Sequence, residues 1–436
     1  MMHTVDLRSI RPSQTELAAM IPRASVDPAS ASAAAAVLID DVRARGELAL
    51  LEQAERFDGV RPPQVRIHAR DIGVALGALD PAVRGALEEA VDRVRRASEA
   101  QVPPGGVTTL ADGAEVIQRW QPVRRVGLYV PGGKAVYPSS VIMNVVPAQV
   151  AGVGAIAIAS PPQKEFGGAV HPVILGAAGL LGIDEVYAMG GAGAVGAFAY
   201  GVPAMSLDPV DLITGPGNVF VTAAKRLVHG KVGIDSEAGP TEILIIADST
   251  ADPRLVAMDL ISQAEHDELA AAILVTDSTE LADAVLAQLP GRAAATAAAA
   301  RVAVSLSAAQ SAVVLVDDIA AAAAFSNAYG PEHLEIITES PEQVVDIIDN
   351  AGAIFLGPTS PVSLGDYLAG SNHVLPTGGG TRFSSGLGAH TFLRPQQIIR
   401  YTAAALGAVR ADIVALANAE GLPAHGEAVQ ARFTAE

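Results

Sequence analysis

The sequence predicts an α/β protein with two doubly wound parallel sheets, a helical N-terminal region and a small helical C-terminal part. Three observations carry this. Short apolar runs alternate with helix-length segments through the middle of the chain. There are too many such runs for one comfortable sheet. The first hundred residues and the tail from about Gln396 carry helix signals instead.

The elements follow in order. Asp27-Pro28 opens a helix, with a small polar N-cap and proline at the first helical position. It runs through an alanine-rich stretch to Asp58-Gly59. Asp80-Pro81 repeats the device and opens a charged amphipathic helix to about Ala100, and 103–106 (Pro-Pro-Gly-Gly) forms a joint. Buried strands are expected at 126–130, 155–159, 185–189, 211–214, 243–247, 272–276, 313–316, 334–338 and 353–356.

Composition bounds the function. Half of the 436 residues are hydrophobic and 17% are charged, which excludes disorder. The length suggests two to three domains. A net charge of −18 disfavours nucleic acid or an anionic membrane as partner. With no cysteine, a metal must be held by His, carboxylate or amide. The N-terminus has no apolar signal region, and the uncharged stretch 186–205 is mostly Gly and Ala with Pro203. A soluble cytoplasmic protein is expected.

Several motifs could carry chemistry. Residues 191–196 spell GxGxxG after an expected strand, with Asp208 and Asp211 placed downstream as a ribose-binding acid would be. In a chain with 42 glycines the same loop can also be an ordinary turn. Pro131-Gly132-Gly133 and Gly215-Pro216-Gly217-Asn218 each follow an expected strand and offer backbone N–H groups to a nucleotide or phosphate. Gln263 and His266 share one helix face. Glu332-His333 pairs a carboxyl with an imidazole. Asp366, Asn372-His373, Glu420 and His425 complete a set that suits zinc or manganese, or equally a scatter of surface and capping residues.

Seven segments in order, VGLYVPGG (126–133), GPGN (215–218), AGPTEIL (238–244), SQAEH (262–266), GPEHLE (330–335), LGDYLAGSNHVLPT (364–377) and AEGLPAH (419–425), resemble the histidinol dehydrogenase family. The resemblance implies a zinc- and NAD-dependent enzyme that oxidises L-histidinol to L-histidinal and then to L-histidine. It implies two Rossmann-like domains, an N-terminal helical arm and a short C-terminal domain in an intertwined homodimer. The implied boundaries are 1–28 for the arm, 29–128 with 243–388 for the first domain, 129–242 for the second and 389–436 for the tail.

By the same resemblance, Gln263, His266, Asp366 and the partner-donated His425 are zinc ligands, and Glu332 and His333 are the acid/base pair. Thr241, Gln263, His266, His333, Asp366, Glu420 and His425 are substrate contacts, and Tyr129, Gly193 and Asn218 face NAD. Two positions depart from the family: Gly193 stands where glutamine is usual, and Thr241 where serine is more common. The departure at 193 opens the question of how NAD is contacted there. A dehydrogenase of another small polyol on the same fold is the alternative. A zinc hydrolase and a two-lobed binding protein are the competing classes, and the glycine turns and the Glu332-His333 pair speak against them.

Overall fold

The computed structural model describes residues 2–24, 28–132, 135–237 and 239–433. Asp27 of the expected helix start, Gly133 of the first glycine turn and Ala238 lie outside the described residues. Among the described residues, fourteen strands form three sheets. They are β1 (His3–Asp6), β2 (Gly106–Ala111), β3 (Ala114–Pro122), β4 (Arg125–Tyr129), β5 (Ala155–Ser160), β6 (Val186–Ala188), β7 (Leu212–Thr214), β8 (Gly233–Ile234), β9 (Glu242–Ala247), β10 (Ala271–Thr276), β11 (Ala312–Leu315), β12 (His333–Ile337), β13 (Ala353–Leu356) and β14 (Leu393–Tyr401).

Two sheets are wholly parallel, in the orders β6-β5-β4-β7-β8 and β1-β11-β10-β9-β12-β13. All nine expected strands are present in them. Their central strands are mostly apolar and buried because helices cover both faces, as in β9 and β10, where every residue is buried. Each sheet winds outward from a central strand and then reverses. The reversal lies between β4 and β7 in one sheet and between β9 and β12 in the other.

The helices of the first hundred residues belong with the five-stranded sheet. Ala31, Ala35, Ile39 and Leu50 share a core with Tyr187 and Phe198. Ile72, Leu87 and Val94 share another with Leu128 and Ile142. The expected grouping of 29–128 with 243–388 therefore differs from the observed packing, and its boundary at 128 falls inside β4. Close helix approach explains the attachment: a Cβ at Gly196 would lie 3.2 Å from the Ile39 Cα. The first expected helix is two, Pro28–Arg45 and Glu47–Phe57, because Gly46 takes φ 58°. Pro81–Ala100 matches its expected span, with Asp80 accepting from the N–H groups of Ala82 and Val83.

The expected N-terminal arm is more integrated than a helical arm. β1 adds an edge strand to the six-stranded sheet, pairing His3 with Ala312 and Asp6 with Leu315. Leu17 and Ile21 then pack beside Phe325 and Tyr329. The tail also differs. Where helix was expected from Gln396, β14 pairs antiparallel with β3, and β2 completes a small sheet. Helices Ala403–Ala419 and Pro423–Gln430 follow. No helix among the described residues is long and apolar enough to cross a membrane.

Candidate active site

The site gathers at the amino edge of the six-stranded sheet, beside the reversal between β9 and β12. Thr241 directly precedes β9, and Glu332 and His333 enter β12. The helix Pro253–Ala264, started by Asp252 and Pro253, runs back antiparallel and delivers Gln263 to the same edge. Gln263 is buried because it continues the stripe of Val256 and Leu260. Asp366 arrives on the short helix Val362–Tyr367.

Hydrogen bonds set the orientations. Glu332 Oε2 accepts from Thr241 Oγ1 at 2.5 Å and from the Glu242 N–H at 2.9 Å. With its proton given to Glu332, the Thr241 hydroxyl can only accept, so Gln263 Nε2 donates to it at 2.7 Å. Gln263 Oε1 then points the other way, buried and with no hydrogen-bond partner. Such an orphan costs free energy unless a ligand takes it. His333 Nδ1 lies 3.0 Å from the Glu242 carbonyl. A carbonyl only accepts, so Nδ1 carries the proton and Nε2 is left as a base.

Electrostatics support this division. Burial pushes the Glu332 carboxyl up to about 8, against the pull of Thr241 and the Glu242 N–H. Burial also holds His333 below its ordinary value, so its ring is neutral at neutral pH. Burial likewise raises the carboxyls of Asp259 and Glu335, and the neighbouring Asp259 charge raises Glu335 further.

His266 Nε2 lies 3.8 Å from Asp366 Oδ2. Among the described residues no three His, Asp or Glu side chains come together as a metal group. The structure thus brings Gln263, His266 and Asp366 to one edge but not His425 or Glu420, which are exposed on the C-terminal helical pair. His373, noticed in the sequence without a role, is in the neighbourhood. Its Nδ1 donates to the Asp366 carbonyl at 3.0 Å, and Nε2 lies 3.3 Å from Ser140 Oγ. Ser140 sits in the first turn of Pro138–Ala151, after β4, so the carboxyl edge of the five-stranded sheet meets the amino edge of the six-stranded one at His373.

That carboxyl edge holds the three residues expected to face NAD. The Tyr129 hydroxyl, pushed up to about 12 by burial, accepts from the Gly191 N–H at 3.2 Å. Asn218 Oδ1 caps the helix Val219–Val228, accepting from the N–H groups of Phe220 and Val221. The turn before it needs glycine: at Gly215 φ is +112°, and a Cβ would lie 2.0 Å from the Tyr129 carbonyl oxygen. The buried pair Lys225–Asp235 grips this turn, Nζ donating to the Gly215 carbonyl and Oδ2 accepting from its N–H.

Asp211 is placed differently from a ribose-binding acid. It precedes β7 at the opposite edge, where Oδ2 accepts from the N–H groups of Arg124 and Arg125. Gly193 faces helix Glu47–Phe57 and is a packing glycine: a Cβ there would lie 2.2 Å from Gln53 Oε1. We expect Gly193→Gln to lower stability by about 1 kcal/mol. Overpacking costs roughly 1–3 kcal/mol, and removal of a helical glycine returns up to about 1. Adding Gln53→Ala should recover the loss in thermal unfolding; an unchanged melting temperature for Gly193→Gln alone would contradict the packing role.

A buried carboxyl–imidazole pair beside an unpaired amide oxygen, at the amino edge of one parallel sheet where His373 meets the carboxyl edge of another, defines an α/β enzyme with proton-transfer groups at its site. Comparison with known proteins gives the family. The family model for histidinol dehydrogenase matches residues 21–433. The chain is 66% identical over 432 residues to the histidinol dehydrogenase of Leifsonia xyli subsp. xyli, covering 99% of both chains. It is 57% identical over 434 residues to that of Nocardia farcinica, covering 99% of this chain and 98% of the other. The crystal structure of histidinol dehydrogenase from Elizabethkingia anophelis matches with a TM-score of 0.92 at 32% identity, over 99% of this chain and 98% of that one. The chain belongs to the histidinol dehydrogenase family and is an oxidoreductase.

Proposed function

We propose that this protein oxidises L-histidinol through L-histidinal to L-histidine with two NAD, as the last step of histidine biosynthesis, in a zinc-loaded homodimer in the cytoplasm. The observation that carries the reading is the chain Gln263–Thr241–Glu332 beside His333, with Gln263 Oε1 left unpaired.

Gln263 Oε1, the His266 imidazole and the Asp366 carboxylate are the amide, nitrogen and oxygen donors a zinc ion takes. His425 is the fourth, given by the partner subunit. Zinc held there would supply a Lewis-acid anchor for the substrate, and bound NAD would be the hydride acceptor. Tyr129 and Asn218 line the NAD crevice, and Gly193 contributes backbone there. Glu420 reaches the substrate from the other chain.

His333 Nε2 takes the proton of the alcohol, and the Glu242 carbonyl holds the imidazolium through Nδ1–H. At the aldehyde stage Glu332 takes a proton from the attacking water. No cysteine is present to carry a thiohemiacetal, so water meets the aldehyde directly. The base forms of His333 and Glu332 prevail toward alkaline pH, since Glu332 loses its proton only near 8. The net charge of −18 also suits a cationic amino alcohol.

The homodimer reading rests on the tail. Of the helix Ala403–Ala419 only Ala405 and Ala417 are buried, and Leu416 is 65% exposed. Ile399 of β14 is 71% exposed and Leu110 of β2 is 60% exposed. Apolar surface of this kind favours a protein partner, and a second copy would bring its own Glu420 and His425. The test is stoichiometric: two NADH and one histidine should form per histidinol consumed. One NADH with histidinal as the end product would overturn the four-electron reading.

A further inference from the structure

We infer that Arg23 is a positioning residue for the acid/base pair; this rests on the reading of Glu332 and His333 given above. Both residues are fixed by one backbone unit, that of Glu242. Its N–H donates to Glu332 Oε2 at 2.9 Å, and its carbonyl accepts from His333 Nδ1 at 3.0 Å. What fixes Glu242 therefore fixes both.

Glu242 is fixed by Arg23. Arg23 Nε donates to Glu242 Oε1 at 2.6 Å, and the Glu242 side chain is 4% exposed. The Gly378 N–H donates to the same carboxylate. Arg23 holds the second strand of the site as well. Its Nη2 donates to the Tyr329 carbonyl at 2.5 Å and to the Gly330 carbonyl at 3.3 Å. Its Cζ lies 3.9 Å from the centre of the Tyr329 ring. Tyr329 and Gly330 end the helix Ile319–Tyr329, immediately before Pro331 and Glu332. One guanidinium thus joins the start of β9 to the entry of β12, the two segments that carry the catalytic geometry.

A planar fork is needed for this. Lysine could keep the charge beside Glu242 but could not serve the carboxylate and two carbonyls together. Buried ion pairs add little net stability, whereas they can fix geometry. Arg23 does not touch the reacting atoms; it acts through Glu242 and the 329–330 turn.

The experiment uses the zinc-loaded full-length enzyme with Arg23→Lys, Arg23→Ala and each combined with His333→Ala. Misplacement of reacting groups by about 1 Å costs on the order of 100-fold, so Arg23→Ala should lower kcat by about that factor. The KM for histidinol, zinc content and NAD affinity should change less than about two-fold if only the acid/base pair is displaced. Arg23→Lys, which keeps the charge against Glu242 and guards against misfolding, should retain an intermediate kcat. In the His333→Ala background Arg23→Ala should have little further effect, since the two act as one unit. An undiminished kcat in Arg23→Ala overturns the inference. So does an equal further loss in the His333→Ala background, or a parallel loss of zinc and NAD binding. Full activity in His333→Ala alone would instead overturn the functional reading.

Discussion

Alanine at position 333 should lower kcat for histidinol oxidation by about 10²–10⁴-fold, the contribution of a positioned general base. Zinc content should stay near that of the unmutated enzyme, because His333 donates through Nδ1 to the Glu242 carbonyl and presents Nε2 as a base. Loss of zinc with the imidazole would mark His333 as a ligand instead. The unmutated enzyme adds a pH signature. Burial holds the His333 pKa below its ordinary value, so the base form persists at neutral pH and the acid limb due to this group is shifted toward lower pH. His333→Ala should lose that limb along with the rate.

A mixed dimer of His425→Ala and His333→Ala chains should recover activity that neither parent has. If each tail completes its partner's site, one site of the heterodimer holds both lesions and the other holds none. Random association makes about half of the dimers mixed, so roughly a quarter of full activity should return. The exposure of His425, away from the edge that gathers Gln263, His266 and Asp366, motivates the experiment. Persistent inactivity would show that His425 acts within its own chain or not at all. Substantial activity in His425→Ala alone would remove it from the site.

The parallel sheets were legible because their strands are short apolar runs buried on both faces, and local pattern alone finds such runs. The strands that escaped are the ones without that pattern. β1 is His-Thr-Val-Asp, and only its partner β11 makes it a strand. β2 is exposed throughout and β14 is mostly exposed, so β14 read as the start of a helix. The placement of residues 28–100 depends on close helix contacts that no linear pattern reveals.

The proximity of Glu332, His333, Gln263, His266 and Asp366 was suggested by motifs, and the structure adds the hydrogen bonds that orient the first three. Glu242 lies inside the AGPTEIL segment, but its link to Arg23 could not be found in that way. They stand 219 residues apart, and each looks ordinary until the fold joins them. The glycines of 191–196 illustrate the reverse case: a familiar spacing in which Gly193 and Gly196 serve helix packing.

We propose that this site oxidises histidinol with NAD at a metal held by Gln263, His266 and Asp366. NAD reduction by the purified protein with L-histidinol, before and after chelation and after zinc is restored, tests this. We expect two NADH per histidinol, loss of turnover on chelation and its return with zinc. No turnover with zinc present, or turnover untouched by complete metal removal, would show that the site does not work in this way.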